Sequence, residues 1–310
     1  QGLYHPQNEH DACGMGFVAS VRGERTHSIV EKGLEVLANL THRGASGCDP
    51  ETGDGAGVLI QIPHKFFVRE CSREGIILPD AGNYAVGMVF LPVEKHPRLR
   101  CEGILERIAQ EEGLSVLGWR DTPVNGDAIG RVARVSQPYI QQVFVGRPDA
   151  LDEDAFERKL YLVRKRVENE IALSEIESKS MFYIPSLSCR TIVYKGLLLA
   201  PQIANFYEEL RDPEVESALC LVHQRFSTNT FPSWQLAHPY RYVAHNGEIN
   251  TVRGNVNWMN ARQSVLASPV FGDSLKKLFP IIAPGGSDSA SFDNAVEFLL
   301  QAGRSLPHVM

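Results

Sequence analysis

The sequence predicts an α+β protein, on three observations. Short apolar runs that read as strands are mixed with stretches of helical spacing. The two do not alternate in the regular strand–helix–strand order that a doubly wound sheet requires. Several apolar runs empty into loops of unusual polar composition rather than into helices. The chain has 310 residues, 43% hydrophobic and 22% charged, which is ample material for a core.

The elements follow in chain order. Residues 13–21 read as a strand of small residues, and residues 28–40 place Ile29, Val30, Leu34, Leu37 and Leu40 at helical spacing. A loop rich in Gly, Asp, Ser and Thr runs from Thr41 to Gly57, and a polar loop of that length suggests function. Strands are predicted over residues 58–62, 85–91, 114–118, 140–145, 182–184, 191–199, 218–224 and 242–244. Residues 101–112 read as an amphipathic helix. Residues 152–173 form the longest helical pattern, with Asp152 as N-cap and acidic residues in the first turn. A last helix is predicted over residues 289–300, behind Gly285-Gly286-Ser287-Asp288. Internal repeats and low-complexity tracts are absent from the sequence.

Composition also excludes function classes. A net charge of −6 gives no reason to expect nucleic acid or an anionic membrane as partner. No apolar stretch reaches about 18 residues, so no transmembrane helix is expected. Residues 1–12 are polar, lack the apolar core of a secretory signal, and read as a leader. The six cysteines, at 13, 48, 71, 101, 189 and 220, form no C-x-x-C pair and no disulfide framework. They point to a reducing, cytoplasmic compartment and to no structural zinc.

Five islands carry candidate chemistry. Cys13 lies in Asp11-Ala12-Cys13-Gly14-Met15-Gly16-Phe17, at the start of a strand. As a first residue it would combine a thiol nucleophile with an α-amine that can serve as its base. The others are Thr41-His42-Arg43-Gly44, His223-Gln224-Arg225-Phe226-Ser227-Thr228-Asn229-Thr230, His245-Asn246-Gly247-Glu248-Ile249-Asn250, and Gly285-Gly286-Ser287-Asp288-Ser289. Singly each has a plain explanation. A cysteine near a terminus is a small hydrophobe, Asn-Gly is a turn, Ser287 or Asp288 is a helix cap, and Arg225 is a surface charge. His42, His223 and His245 lack metal-ligand spacing on a shared helix, so no metal is expected. The glycine-rich 54–57 and 285–289 match no phosphate-binding signature.

Together, and in this order, Cys-Gly-x-Gly-Phe, His-Arg-Gly, Gly-Asp-Gly-Ala-Gly, His-Gln-Arg-Phe-Ser-Thr-Asn-Thr-Phe-Pro, His-Asn-Gly-Glu-Ile-Asn and Gly-Ser-Asp-Ser resemble the class II glutamine amidotransferases. These are the N-terminal-nucleophile type. Residues 225–232 and 246–258 are most similar to the amidotransferase domain of glutamate synthase large subunits. The resemblance covers residues 13–310 and implies a four-layer αββα sandwich of the N-terminal-nucleophile hydrolase type. It implies a domain at 13–310, truncated at its C-terminus or separately encoded, behind a leader at 1–12 removed by cleavage of Ala12–Cys13.

By resemblance, Cys13 attacks the side-chain amide of L-glutamine, and water cleaves the resulting thioester. Asn246 and Gly247 form the oxyanion hole, where losing one donor costs on the order of 3 kcal/mol. Arg225 binds the substrate α-carboxylate and Asp288 the α-ammonium. Arg43 belongs to a cover over the substrate, expected to run from Arg43 to Gly57. No cofactor is expected in this chain; FMN and an iron–sulfur cluster are expected in the synthase portion of the complete enzyme, where 2-oxoglutarate takes up the ammonia. The synthase domain or subunit is the implied partner. Two other functions stay open from sequence: a class II amidotransferase for another acceptor, and an unprocessed, non-catalytic glutamine-binding module.

Overall fold

The computed structural model describes residues 14–47, 49–227 and 230–310. Eight strands are present among them: β1 (Met15–Ala19), β2 (Ala56–Gln61), β3 (Tyr84–Leu91), β4 (Ser115–Asp121), β5 (Tyr139–Gly146), β6 (Tyr183–Ser188), β7 (Thr191–Gly196) and β8 (Leu219–Gln224). They form two four-stranded sheets with the orders β1-β8-β2-β7 and β4-β5-β3-β6. Every pairing is antiparallel. The helices are α1 (His27–Asn39), α2 (His64–Arg73), α3 (Lys95–Glu111), α4 (Arg131–Val135), α5 (Glu153–Leu173), α6 (Ile203–Phe206), α7 (Val252–Arg262), α8 (Asp288–Gln301) and α9 (Leu306–Val309).

The side-chain alternation of β3 explains the layering. All eight of its residues are buried. Val86, Met88 and Phe90 enter a core shared with Val58, Ile60, Ile192, Tyr194 and Val222 of the other sheet. Ala85, Val89 and Leu91 point the opposite way, into a core with Leu105 and Ile108 of α3 and Phe156, Leu160, Val163 and Val167 of α5. A strand covered on both faces needs apolar residues at every position, which Tyr84–Leu91 supplies. On the first sheet, α1 lies over β8, so close that a Cβ on Gly33 would stand 2.2 Å from Cys220 Sγ. Helix, sheet, sheet and helices thus stack in the αββα order that the resemblance implies. A third apolar cluster, with Tyr161, Leu162, Phe271, Leu278 and Phe298, fastens α8 and residues 271–282 to α5.

Several sequence expectations need correction. Residues 242–244 are not a strand, because the Tyr242 and Val243 N–H groups donate to the Asp293 carboxylate at 2.8 and 3.2 Å instead of to a neighbouring strand. Helix α3 starts at Lys95, six residues ahead of the predicted Cys101, because Pro97 falls in its first turn, where proline is tolerated. Helices α2, α4, α6, α7 and α9 have no counterpart among the sequence expectations. Asp152 caps α5 as expected, its Oδ1 accepting from the Ala155 N–H at 2.7 Å. Among the described residues no helix is long and apolar enough to cross a membrane. The four described cysteines, Cys71, Cys101, Cys189 and Cys220, are buried free thiols.

Candidate active site

The site forms at one end of the first sheet, where β1 starts and β8 stops. Cys13 lies outside the described residues, but Gly14, which follows it, is fixed by the ladder. Its carbonyl accepts from the Gln224 N–H at 2.7 Å. A Cβ at position 14 would stand 2.3 Å from the Gln224 carbonyl oxygen, 2.8 Å from Asn246 Nδ2 and 3.3 Å from Arg43 Cβ. Only glycine fits there. The same distances place the side-chain amide of Asn246 directly against the start of β1.

Beyond β8 the chain turns into Arg225, which is buried. Its N–H donates to the Gly55 carbonyl at 2.8 Å. Its guanidinium donates to the Asp54 carbonyl at 3.3 Å and to Thr230 Oγ1 at 2.8 Å. These partners are neutral oxygens, so they orient the fork without cancelling its charge. Burial pulls the Arg225 pKa down. The Asp54 carboxylate accepts from the Ser227 N–H at 2.7 Å, and burial raises its pKa.

Asn246 donates through Nδ2 to the Gln224 carbonyl at 3.4 Å. Across the cavity, Ser287 caps α8 by accepting from the Ala290 N–H at 3.2 Å, and it meets the Tyr240 hydroxyl at 3.1 Å. Asp288 is therefore not the cap. It is the first helical residue, and its Oδ2 accepts from the Ile249 N–H at 2.8 Å. Arg225, Asn246, Gly247 and Asp288 line one cavity of about 370 Å³, which suits a small polar ligand.

Residues 49–52, within the segment expected to cover the substrate, are bonded into the rest of the fold. Arg43 ends a 3-10 turn beside Gly14 and is not part of the cavity lining. The second half of the segment is built into the fold. Asp49 accepts from the Val132 N–H at 3.0 Å, the Glu51 carbonyl from the Gly130 N–H at 3.0 Å, and Thr52 Oγ1 from the Ala133 N–H at 3.2 Å. Cys48, within this segment, lies outside the described residues.

Sequence reasoning missed three parts of the surroundings. His223 and His238 stack at 4.4 Å between ring centroids, with His245 edge-on to His238 at 6.1 Å. His42 is remote from them in role, its Nδ1 meeting the Asn39 carbonyl at 3.0 Å. Burial drives the His223 pKa down to about 3 and the His238 pKa well below its ordinary value, so both rings are neutral near pH 7. Lys195, also buried, donates to the Gln235 and Ala237 carbonyls at 2.9 and 2.7 Å and fixes the backbone that delivers His238. The third part is Asp293, whose hydrogen bonds hold the segment leading to Asn246. His223 and His245 stand in motifs visible in the sequence; a polar residue such as Lys195 or Asp293 inside an apolar pattern gives no such signal.

The chain belongs to the class II glutamine amidotransferases, whose family profile matches residues 13–310. The two stacked antiparallel sheets agree with the fold of that class. Among its curated relatives, the Glutamate synthase (NADPH) large chain of Bacillus subtilis (strain 168) is 51% identical over 309 residues, covering 99% of this chain and 20% of the relative. The Glutamate synthase (NADH) of Saccharomyces cerevisiae is 46% identical over 321 residues, covering 100% of this chain and 15% of the relative. The Ferredoxin-dependent glutamate synthase of Pyropia yezoensis is 42% identical over 299 residues, covering 96% and 19%. The chain thus spans a fifth or less of the length of these relatives.

Proposed function

We propose that this chain hydrolyses L-glutamine to glutamate and ammonia through a γ-glutamyl thioester on Cys13, and that the ammonia feeds glutamate synthesis from 2-oxoglutarate. The observation that carries the proposal is the meeting of Arg225, Asn246, Gly247 and Asp288 around one cavity, with Gly14 packed against the Asn246 side chain.

In this scheme Ala12–Cys13 is first cleaved. The freed α-amine, with a pKa of about 8, is close to working pH and can accept the thiol proton. The guanidinium fork of Arg225 takes the substrate α-carboxylate, and Asp288 takes the α-ammonium on its remaining lone pairs. The Cys13 sulfur bonds to the amide carbon. Charge moves to the amide oxygen, where the Asn246 side-chain N–H and the Gly247 backbone N–H receive it. The C–N bond breaks and the nitrogen leaves as ammonia, taking a proton from the Cys13 ammonium. Water then adds to the thioester carbonyl, the C–S bond breaks, and glutamate leaves with the thiol restored. Arg43, beside Gly14, closes the site from the short segment before Asp49.

The partner is a synthase domain or subunit, as the names of the relatives suggest, with FMN and an iron–sulfur cluster held there and not by this chain. The compartment is the cytoplasm. Two measurements test the scheme. Replacing Cys13→Ala abolishes glutamine hydrolysis, and undiminished hydrolysis would sink it. Intact mass of protein from its native host gives a mature chain beginning at Cys13; an uncut chain that binds glutamine without turning it over would make the domain a binding module.

A further inference from the structure

Helix α8 meets the rest of the protein along an unusual seam. Asp293, Glu297 and Gln301 follow one another at four-residue spacing, so they form one stripe. A buried helical stripe is ordinarily apolar. Here Asp293 is fully buried and Glu297 is 4% exposed. All three teeth engage one short stretch of chain, Arg241–Val243. Asp293 Oδ1 accepts from the Tyr242 and Val243 N–H groups at 2.8 and 3.2 Å. Arg241 forms an ion pair with Asp293 at 3.1 Å and donates from Nε to Glu297 at 3.0 Å. Gln301 donates to the Tyr242 hydroxyl at 3.0 Å. Arg164 of α5 closes the network on Glu297.

The two partners of this seam carry opposite ends of the site. Helix α8 begins with Asp288, and Arg241–Val243 leads within three residues to Asn246. Apolar packing would bury the helix at lower desolvation cost, but it would tolerate sliding. A slip of one turn, about 5.4 Å, would move Asp288 away from its place opposite Asn246. Polar teeth forbid that slip, because each would lose its partner while buried.

Resting on the glutaminase reading above, we propose that Asp293 is a positioning residue: its bonds to Tyr242 and Val243 set the separation between the ammonium-binding Asp288 and the oxyanion donors Asn246 and Gly247. Glutamine is anchored at its amino-acid end and reacts at its amide end, so an error in that separation leaves binding intact and misplaces the reacting carbon.

The test is steady-state glutamine hydrolysis by the intact protein, with thermal unfolding alongside. Asp293→Ala lowers kcat about 10- to 100-fold, with KM within about twofold of wild type. Asp293→Asn keeps an oxygen to accept both N–H groups and recovers most of kcat. Should Asp293→Ala not fold, Gln301→Leu removes the outermost tooth and lowers kcat about threefold at unchanged KM. A folded Asp293→Ala with wild-type kcat, equal kcat losses in the Ala and Asn variants, a rise in KM alone, or an unaltered kcat in Gln301→Leu would each overturn the proposal. Wild-type protein that turns over no glutamine would overturn the glutaminase reading and this proposal together, whereas normal wild-type turnover with any of those variant results removes this one alone.

Discussion

Two helices begin at the rim of the cavity and are held in opposite ways. Helix α8 is capped by Ser287, buries Ser289, Asp293, Asn294, Val296, Glu297, Phe298 and Gln301, and is locked through its polar stripe. Helix α7 buries none of its residues, and Thr251 before it makes no side-chain cap bond and has φ of 60°. A β-branched residue in that left-handed region costs about 1–2 kcal/mol. Trp258 of α7 is 68% exposed. Asp288 thus sits on a helix held by many buried residues, whereas α7 rests on few contacts. Local stability is expected to be high along α8 and low along α7.

The glycine at the start of β1 gives the largest expected effect. Gly14→Ala forces a Cβ into the Gln224 carbonyl and the Asn246 amide, and glutamine hydrolysis should fall about 100-fold or more. If Gly14→Ala hydrolyses glutamine at the wild-type rate, the close approach of Gly14 to Asn246 and Gln224 does not matter to the reaction. Arg225→Lys keeps the charge but loses the planar fork, so KM for glutamine should rise on the order of tenfold in steady-state assays with a smaller change in kcat. A kcat loss at unchanged KM would place Arg225 elsewhere in the reaction.

Acid should destabilise the fold through the buried histidines at the end of β8. The His223 pKa lies at about 3 in the folded chain, against an unfolded value of 6.5. The unfolded chain therefore binds a proton that the folded chain refuses, so this contribution to stability is full above pH 6.5 and is lost as pH falls toward 3. Each such histidine removes about 1.4 kcal/mol per pH unit, and His238 shifts in the same direction. Denaturant unfolding between pH 7 and 5 measures it, and replacing His223 with a neutral aromatic of similar size should flatten the slope. The smallest effect belongs to α7. A Cβ on Gly254 meets nothing within 4 Å, so Gly254→Ala should stabilise by up to about 1 kcal/mol without altering turnover.

What the sequence made legible follows the same division. Strand β3 and helix α5 announce themselves through a continuous apolar run and a capped amphipathic pattern. Helix α7 is harder to read, because none of its residues is fully buried and its short apolar face, with Val256 and Met259 on the third cluster, is set among polar residues and a glycine. The motifs holding Arg225, Asn246 and Asp288 are local and visible, yet their convergence is a property of the sheet end and not of any segment. Residues 242–244 looked like a strand because Tyr-Val-Ala is apolar; the partner of their N–H groups is a side chain fifty residues downstream. Asp293 itself was invisible, since a charged residue in a helix reads as solvent-facing by default.

The most direct test of the account is to mix the mature protein with glutamine, quench in acid within the first turnovers, and measure the mass of the fragment that begins at Cys13. The account predicts a γ-glutamyl adduct on that fragment, absent from Cys13→Ala. Glutamine turnover with no adduct there, or with the adduct on another residue, would contradict it.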